Sequence, residues 1–336
     1  MATRKSTILI VTEELDGHAD IIILKLREMG YEPIRLHTAD IPLKSVMAFT
    51  FDSTGWEGEI RAGGRRIDFN DIRSIWWRRP RQHRFPPEIK EEEVAFARAE
   101  LRDTLNGVWD SLDCYWMSFP HNIRLASYKP GQLKRAARLG FEIPRTLITT
   151  DPERAQRFYE ECHGKMIYKV LSNPLLTAES LSKTPAPSSH YAVFTTPITA
   201  EHLKGFEAIR LAPCQFQEYI PKRYELRVTV IGEEVFAAEI HSQENQVTSI
   251  DWRHYEVEVP YKKGNLPPDV AERCHALTKG YGLNFSAIDL ILTPDGRYVF
   301  LEINPNGQWF WLEEKVPELK LTAALASCLI RGKGIG

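Results

Sequence analysis

The stretch Ala287–Asn304 carries the side chains with the clearest chemical potential. Two apolar, strand-like runs flank Asp295-Gly296, a strong signal for a two-residue hairpin loop. With that loop, Asp289 and Glu302 are direct cross-strand partners, and Asn304 shares the face of Glu302 because side chains alternate along a strand. The opposite, core-facing side is expected to carry Ile288, Leu290, Leu301 and Ile303.

Two carboxylates that face each other directly repel, and a divalent cation between them removes the conflict. An all-oxygen set of Asp, Glu and Asn suits Mg²⁺ or Mn²⁺ better than zinc. Mg²⁺ with few protein ligands usually also binds phosphate oxygens. The alternative interpretation is a solvated strand face, on which charged side chains need no metal.

Two lysines could supply the positive charge that a polyphosphate requires. Lys129 is expected to begin a helix, where the helix dipole already favours anions. Lys169 lies in the apolar run Met166–Val170, where it needs a counter-charge. Alternatively, either lysine reaches solvent along its aliphatic stem. The sequence has neither a GxxxxGK[ST] nor a GxGxxG motif, which excludes a P-loop and a Rossmann fingerprint.

A predicted strand at Gln215–Ile220 runs into Pro221, and the end of such a strand can offer backbone groups to an adenine edge. Glu225 follows closely and could accept hydrogen bonds from ribose hydroxyls. Arg227 lies two residues beyond Glu225, so both side chains are expected on one face.

Three units of secondary structure are expected to position these residues. Residues 1–118 begin with a strand-helix-strand pattern, which indicates a small α/β domain with a parallel sheet. Residues 119–213 contain both lysines, and residues 214–336 are rich in strands and contain the acidic hairpin. The segment Ser172–Ser189 is rich in Ser, Thr and Pro, and it is expected to be a mobile loop.

Composition excludes several classes of protein. The 336 residues include 43 Lys+Arg and 45 Asp+Glu, and this balance argues against a general nucleic-acid binder. No run reaches the roughly 18 apolar residues of a membrane span, and no signal peptide is expected. The five cysteines are widely spaced and form no CxxC pair, which favours a cytoplasmic protein over a disulfide framework or a zinc site.

Together these features resemble the ATP-grasp ligases, with Leu301–Asn306 (Leu-Glu-Ile-Asn-Pro-Asn) similar to the metal motif of that family. The resemblance implies an α/β (α+β) ATP-grasp fold, with an N-terminal pre-ATP-grasp domain followed by two subdomains that enclose the nucleotide. It also implies ATP and Mg²⁺ as cofactors. The implied Mg²⁺ ligands are Asp289, Glu302 and Asn304. The implied nucleotide-binding residues are Lys129 and Lys169 at the phosphates, Gln217, Glu218, Tyr219 and Ile220 around adenine, Glu225 at the ribose, and Arg227 nearby.

Further segments are similar to the peptide maturases that make microviridins and related graspetides. They are Ser74–Pro80, Tyr224–Val230, Asp251–Arg253 and Glu302–Trp309. Those enzymes join Asp or Glu side chains of a ribosomally made precursor peptide to Ser, Thr or Lys side chains of the same peptide. The resemblance therefore implies an ATP-dependent, ADP-producing macrocyclase whose partner is a precursor with a leader and a core. A homodimer would fit this family, and the sequence leaves open whether esters or amides form.

The implied chemistry requires cations. The peptide carboxylate would first be phosphorylated to an acyl phosphate, and attack by a hydroxyl or amine then passes through a tetrahedral oxyanion. Arg227 is the first candidate to stabilise that oxyanion, and Arg253 is the second. Arg78 and Arg79 could clamp the peptide carboxylate, and as adjacent strand residues they face opposite ways, so one is expected to enter the site. The alternative for both is a surface ion pair with Glu91–Glu93.

Two other functions remain open at this point. The first is an ATP-grasp ligase that adds an amino acid or another small acceptor to a peptide or protein. The second is a nucleotide-dependent peptide-binding protein without catalysis, against which the intact set of Asp289, Glu302 and Asn304 argues. Peptide mass separates macrocyclisation from ligation, because ring closure removes water whereas ligation adds the mass of the acceptor.

Overall fold

The computed structural model describes residues 5–172, 175–176, 191–192, 194–253 and 257–332. Apart from Ser172 and the pair Leu175–Leu176, the predicted loop Ser172–Ser189 lies outside these residues. The helices are, in chain order, α1 Gly17–Glu28, α2 Glu91–Asp110, α3 Pro120–Ala126, α4 Lys129–Arg138, α5 Pro152–Glu161, α6 Ala200–Leu203, α7 Pro268–Gly280, α8 Phe310–Lys315 and α9 Leu321–Arg331. The strands are β1 Thr7–Val11, β2 Ile34–Leu36, β3 Ser45–Asp52, β4 Gly55–Ala62, β5 Arg65–Asp68, β6 Ile72–Trp77, β7 Tyr115–Met117, β8 Thr146–Thr149, β9 Met166–Lys169, β10 Leu175–Leu176, β11 Tyr191–Ala192, β12 Thr196–Pro197, β13 Cys214–Glu218, β14 Tyr224–Ile231, β15 Glu234–Ile240, β16 Tyr261–Lys263, β17 Phe285–Leu292 and β18 Tyr298–Asn304.

The N-terminal part is built on a parallel sheet with the strand order β2-β1-β6-β7. Both faces of β1 are buried, which explains its unbroken run of apolar residues. Ile8 and Ile10 pack with α1 and α9, whereas Leu9 and Val11 pack with α2. The predicted strand-helix-strand start is confirmed. A separate antiparallel meander, β3-β4-β5, is inserted between β2 and β6.

A second, antiparallel sheet has the order β12-β9-β13-β8. Helix α5 covers one face, where Phe158 packs with Phe216 of β13. Strand β13 pairs with β8 and β9, so the predicted division between residues 213 and 214 separates it from its partners. The division of the chain into three domains remains a prediction.

The C-terminal sheet has the order β16-β15-β14-β17-β18 and is antiparallel throughout. One face is covered by α3, α4 and α7, and side chains such as Val228 and Ile288 are completely buried there. The alternate residues of β14, β17 and β18 point to the other face. Those residues carry the charges discussed below.

The two ends of the chain share one hydrophobic core. Leu325 of α9 packs in the same cluster as Ile22 of α1 and Trp76 of β6. Trp309, which follows the acidic hairpin, is also completely buried in this cluster. No helix among the described residues is long and apolar enough to cross a membrane.

Candidate active site

A cavity of about 630 Å³ lies between the β8-β9-β13 face and the charged face of the C-terminal sheet. All but one of the side chains singled out from the sequence line it. The members are Arg79, Lys129, Lys169, Gln217, Glu218, Tyr219, Ile220, Glu225, Arg227, Arg253, Asp289, Glu302 and Asn304. The exception is Arg78. The chain therefore brings residues from distant segments into one site.

The acidic hairpin has the predicted partners but not the predicted loop. Thr293 N donates to Arg297 O at 3.0 Å, and Gly296 adopts a positive φ of 88°, so the loop has three residues rather than two. A register shift follows: Asp289 pairs with Glu302, whereas Leu290 pairs with Phe300. The extra residue in the loop and the bulge in β18 compensate for each other. Asp289 and Glu302 therefore face each other as predicted.

The bulge also corrects the assignment of the core face. Leu301 was expected in the core with its neighbours on alternate positions. Instead, Leu301 is half-buried and lines the cavity, and Phe300 is completely buried against the core that contains Leu290. The bulge shifts the alternation by one residue, which the sequence pattern alone does not reveal.

The two facing carboxylates have cationic partners in the structure. Arg227 lies opposite Asp289 on β14, and its Nη1 is 2.9 Å from Asp289 Oδ1. Lys129, the first residue of α4, forms an ion pair with Glu302 Oε2. Asn304 Nδ2 lies 3.1 Å from Glu302 Oε1 and 3.4 Å from Asp289 Oδ2. The three predicted metal-binding side chains thus converge on one point.

The ionisation of Asp289 and Glu302 depends on these neighbours. Burial raises the pKa of Asp289 to about 6, although Arg227 acts against this shift. Burial also opposes ionisation of Glu302, but Lys129 and Lys169 outweigh it and hold its pKa well below the usual range. A divalent cation would favour the ionised form of both groups.

The donor set fits Mg²⁺ that is shared with a phosphate. The described residues contain no group of three or more His, Cys, Asp or Glu side chains arranged to hold a metal ion. The site would therefore use two carboxylates and one amide, and Mg²⁺ commonly takes one or two carboxylates together with phosphate oxygens and water. Residues Asp289, Glu302 and Asn304 satisfy this requirement.

Lys169 ends β9 on the opposite wall of the cavity. Burial lowers the pKa of its ammonium group, the attraction of Glu302 offsets part of this shift, and repulsion by Lys129 adds to it. A bound polyphosphate would compensate both cations. The two lysines are thus placed as a pair for an anionic ligand.

The wall formed by β13 offers a buried acceptor. Gln217 is 1% exposed, and its Nε2 donates to Thr146 Oγ1 at 2.9 Å. That contact fixes the amide, and its Oε1 is buried without a hydrogen-bond partner. The next residue, Glu218, accepts from the backbone N–H of Arg145 at 2.7 Å. An unsatisfied acceptor that lines a cavity fits the amino group of a purine base.

Glu225 is held by residues that the sequence analysis did not identify. Its carboxylate accepts hydrogen bonds from Lys222 Nζ and Ser242 Oγ, and it is almost completely buried. Lys222 also donates to Ile250 O at 3.0 Å. No spacing rule connects Ser242 with Glu225, because β15 brings them together only when β14 and β15 pair.

Arg253 is fixed by a bidentate ion pair with Asp251. Nε lies 2.8 Å from Oδ1, and Nη2 lies 2.6 Å from Oδ2. The Thr195 N–H also donates to Asp251, at 3.0 Å, which ties this loop to the segment that enters β12. Trp252, which lies between Asp251 and Arg253 in the sequence, stacks on Trp311 with ring centroids 4.9 Å apart. The sequence predicted no role for Asp251 or Trp252 beyond membership of a segment similar to the peptide maturases.

Only one residue of the Arg78-Arg79 pair lines the cavity, although both follow the end of β6 rather than lying on a strand. Arg79 lines it, and its Nη1 lies 4.0 Å from Glu13. Arg78 is buried elsewhere and donates to the backbone carbonyl of Asn306. Direct contact of Arg78 with a peptide carboxylate is therefore not supported by the structure. The alternative ion pair with Glu91–Glu93 is not formed by either arginine among the described residues.

Comparisons with known proteins identify a family model and solved structures that this chain resembles. A family model described as the MvdD pre-ATP grasp domain matches residues 7–124. The chain is similar to the macrocyclase MdnC from Microcystis aeruginosa MRC, solved with the precursor peptide MdnA, at 30% sequence identity and a TM-score of 0.82, with 97% of this chain and 99% of that chain covered. It is similar to a RiPP-associated ATP-grasp ligase from Chryseobacterium gregarium, solved with ADP and a leader and core peptide, at 29% identity and a TM-score of 0.85, with 98% and 100% covered.

A more distant solved structure shares the fold. D-alanyl-alanine synthetase A from Vibrio cholerae O1 is 13% identical, with a TM-score of 0.55 and coverage of 98% of this chain and 99% of that chain. A search of the curated proteins gave no match. The mixed α/β architecture is therefore that of the ATP-grasp fold.

Proposed function

The chain belongs to the ATP-grasp macrocyclases and ligases of ribosomally synthesised peptides, and we propose that it closes rings within a precursor peptide. In this reaction ATP phosphorylates an Asp or Glu side chain of the peptide. A Ser or Thr hydroxyl, or a Lys amine, of the same peptide then displaces phosphate. The partner would be a precursor with a leader and a core, and the products would be a cyclic peptide, ADP and phosphate.

One observation carries this proposal. Asp289 and Glu302 face each other beside Asn304, and this acidic centre lies in the same cavity as Lys129 and Lys169. A solvated strand face would not collect two half-buried lysines around its carboxylates. The arrangement is suited to hold a nucleotide polyphosphate with Mg²⁺.

We assign the nucleotide to the wall built by β13 and the start of β14. Gln217, Glu218, Tyr219 and Ile220 would surround adenine, and the free Oε1 of Gln217 would accept from its amino group. Glu225, oriented by Lys222 and Ser242, would bind the ribose hydroxyls. Along this wall, the residues assigned to adenine come first, Glu225 at the ribose follows, and the lysines assigned to the phosphates come last.

Lys129 and Lys169 would bind the phosphates, and Asp289, Glu302 and Asn304 would hold Mg²⁺. When bound there, Mg²⁺ neutralises charge on the transferred phosphoryl group. Arg79 would bind the peptide carboxylate from the N-terminal side of the cavity. Its planar guanidinium suits a carboxylate because it can donate two parallel hydrogen bonds.

Arg227 and Arg253 would stabilise the negative charge of the acyl-transfer step. Arg227 shares its strand face with Glu225 and contacts Asp289, so it lies between the ribose and metal positions. Arg253 is held rigidly by Asp251. A cation that is oriented before the reaction stabilises an oxyanion without further reorganisation. We also propose a cytoplasmic location, and a homodimer remains a prediction.

The test uses a short peptide encoded next to this gene that is rich in Thr and in Asp or Glu near its C-terminus. The peptide is incubated with the protein, ATP and Mg²⁺, and its intact mass and the ADP released are measured. We expect losses of one water per ring, matched by ADP. Sensitivity to hydroxylamine or base would then distinguish esters from amides.

Asp289→Ala should abolish turnover and retain the fold. The matched control is Asp295→Ala on the same hairpin, because the Asp295 side chain is 61% exposed and pairs only at the surface with Arg297. This control should keep full activity. Full activity of Asp289→Ala would contradict the metal assignment, and a mass increase of the peptide would favour ligation of a small acceptor.

A further inference from the structure

Arg78 makes a reciprocal contact across the molecule, although it lies outside the cavity. It is 2% exposed and follows β6, and its Nη1 donates to the backbone carbonyl of Asn306. In return, Asn306 Nδ2 donates to the backbone carbonyl of Arg78 at 3.0 Å. The backbone N–H of Arg78 donates to Val11 O at 2.9 Å, which anchors it to β1. The contact thus joins the N-terminal sheet to the loop after β18.

The environment of Arg78 does not favour a buried guanidinium. Its nearest carboxylate, Asp16, lies 3.8 Å from Nε and already accepts from Thr12 Oγ1 at 2.6 Å. Arg78 Nε and Nη2 are buried without a hydrogen-bond partner. A buried charge with unsatisfied donors contributes poorly to stability. A role in positioning accounts for such a residue better than a role in stability.

The residues on either side of the contact are the ones that need positioning. Arg79 follows Arg78 directly and lines the cavity. Asn304 precedes Asn306 by two residues and belongs to the acidic centre. The turn from Asn304 to Gly307 has little freedom, because Gly307 N donates to Asn304 O at 3.2 Å and a Cβ on Gly307 would lie 2.4 Å from the Cβ of Ala287. A shift of the Asn306 backbone would therefore be transmitted to Asn304.

We propose that the Arg78–Asn306 contact is a positioning latch that sets Asn304 relative to Arg79. The latch holds the metal-binding side chain at a fixed distance from the arginine that receives the peptide carboxylate. Arg78 is thus a positioning residue and does not touch the reacting atoms. This inference rests on the function proposed above for the same cavity.

The test measures binding of ADP by calorimetry, with Mg²⁺ and with EDTA, so that it needs no peptide and no turnover. In Arg78→Met, we expect affinity for ADP with Mg²⁺ to fall about tenfold, as for other residues that orient metal ligands. Affinity in EDTA should stay within about twofold, because the β13 wall is unchanged. Asn306→Ala is the second variant, and it keeps the carbonyl but removes the return hydrogen bond, so a smaller loss in the same direction is expected.

Arg73→Met is the matched control. Arg73 lies on β6, the strand that Arg78 follows, and it also bridges distant segments through backbone carbonyls, at 2.8 Å from Lys5 O and 3.1 Å from Ile330 O. It does not line the cavity. The Arg73→Met variant should have a lower melting temperature and unchanged Mg²⁺-dependent binding of ADP.

Two results would overturn the latch alone: wild-type binding in both Arg78→Met and Asn306→Ala, or an equal loss of Mg²⁺-dependent binding in Arg73→Met. Wild-type protein without any Mg²⁺-dependent ADP binding would instead remove the proposed function and the latch together. The two failures are therefore distinguishable.

Discussion

Two arginines of the cavity, Arg227 and Arg253, each pair with an aspartate, and the two aspartates have different roles. Arg227 pairs with Asp289, which is itself assigned to Mg²⁺, so this partner would be shared when metal binds. Arg253 pairs with Asp251, which has no other assigned role. Burial opposes ionisation of Asp251, but its contacts with Arg253 and with the Thr195 N–H outweigh it and hold its pKa below the usual range. Arg253 is therefore oriented before any substrate binds.

Asp251→Asn should uncouple Arg253 from the site. The amide keeps the shape of the side chain but removes the charge and one acceptor oxygen of the bidentate pair. We expect kcat for ring closure to fall on the order of tenfold to a hundredfold, with a smaller change in KM for ATP. Steady-state ADP release at saturating peptide measures this effect.

The control for this variant is Asp269→Asn. Asp269 pairs with Arg273 over the same 2.6 Å distance between Oδ2 and Nη2, but on the exposed surface of α7. Exposed pairs of this kind contribute little, so activity and stability should be unchanged. Equal loss of kcat in the two variants would contradict the orienting role of Asp251.

At the scale of elements, the acidic hairpin shows what a strand pattern can and cannot predict. The pairing of Asp289 with Glu302 follows from alternation and a turn signal, and it is confirmed. The length of the loop and the bulge at Leu301 were missed, because a bulge leaves no mark in a short apolar run. The strands and the pairing were thus predictable, whereas the face of Leu301 at the bulge was not.

Side-chain contacts between distant elements were the second feature that the sequence did not predict. Lys129 was expected at a helix start for local reasons, and α4 does begin there. Its ion pair with Glu302 joins residues that are 173 positions apart. The same holds for Ser242 at Glu225 and for Asn306 at Arg78. Only the packed sheets determine such pairs, so the residues that orient the site were less predictable than the residues that line it.

Gly307→Ala tests how tightly the loop after β18 is packed. The new Cβ would lie 2.4 Å from Ala287 Cβ on β17 and 3.3 Å from Asn304 Cβ. Overpacking of this kind typically destabilises by about 1–3 kcal/mol, and it should also weaken Mg²⁺-dependent nucleotide binding by displacing Asn304. Urea unfolding and ADP titration with Mg²⁺ measure the two effects.

Gly107→Ala on α2 is the matched comparison with the opposite expected sign. A Cβ there meets no atom within 4 Å, so alanine should stabilise the helix by about 0.5–1 kcal/mol. Nucleotide binding should not change. A loop that tolerates Gly307→Ala without loss of stability would show that Ala287 and the loop can separate freely.

Segments near the two ends of the chain depend on each other for burial. Helix α9 is the last helix, yet Leu325 packs with α1 and β6 in a core shared with the N-terminal sheet. A different core, which includes Leu277 of α7, lies under the C-terminal sheet. The N-terminal sheet therefore relies on the end of the chain for one of its two covered faces. Arg78 and Arg79 directly follow β6 of this sheet, and Arg79 lines the cavity.

Leu325→Ala should therefore loosen the N-terminal sheet, from a position more than two hundred residues away along the chain. Truncation of a completely buried leucine typically lowers the free energy of unfolding by about 2–5 kcal/mol. Hydrogen exchange should show the largest loss of protection in β1 and β6, because local opening follows the core that is disturbed. Leu277→Ala, equally buried in the other core, should instead expose amides of β14 and β17. If both variants lost protection in the same strands, the two cores would open as one unit, and the dependence of β6 on α9 would not be a separate property of the fold.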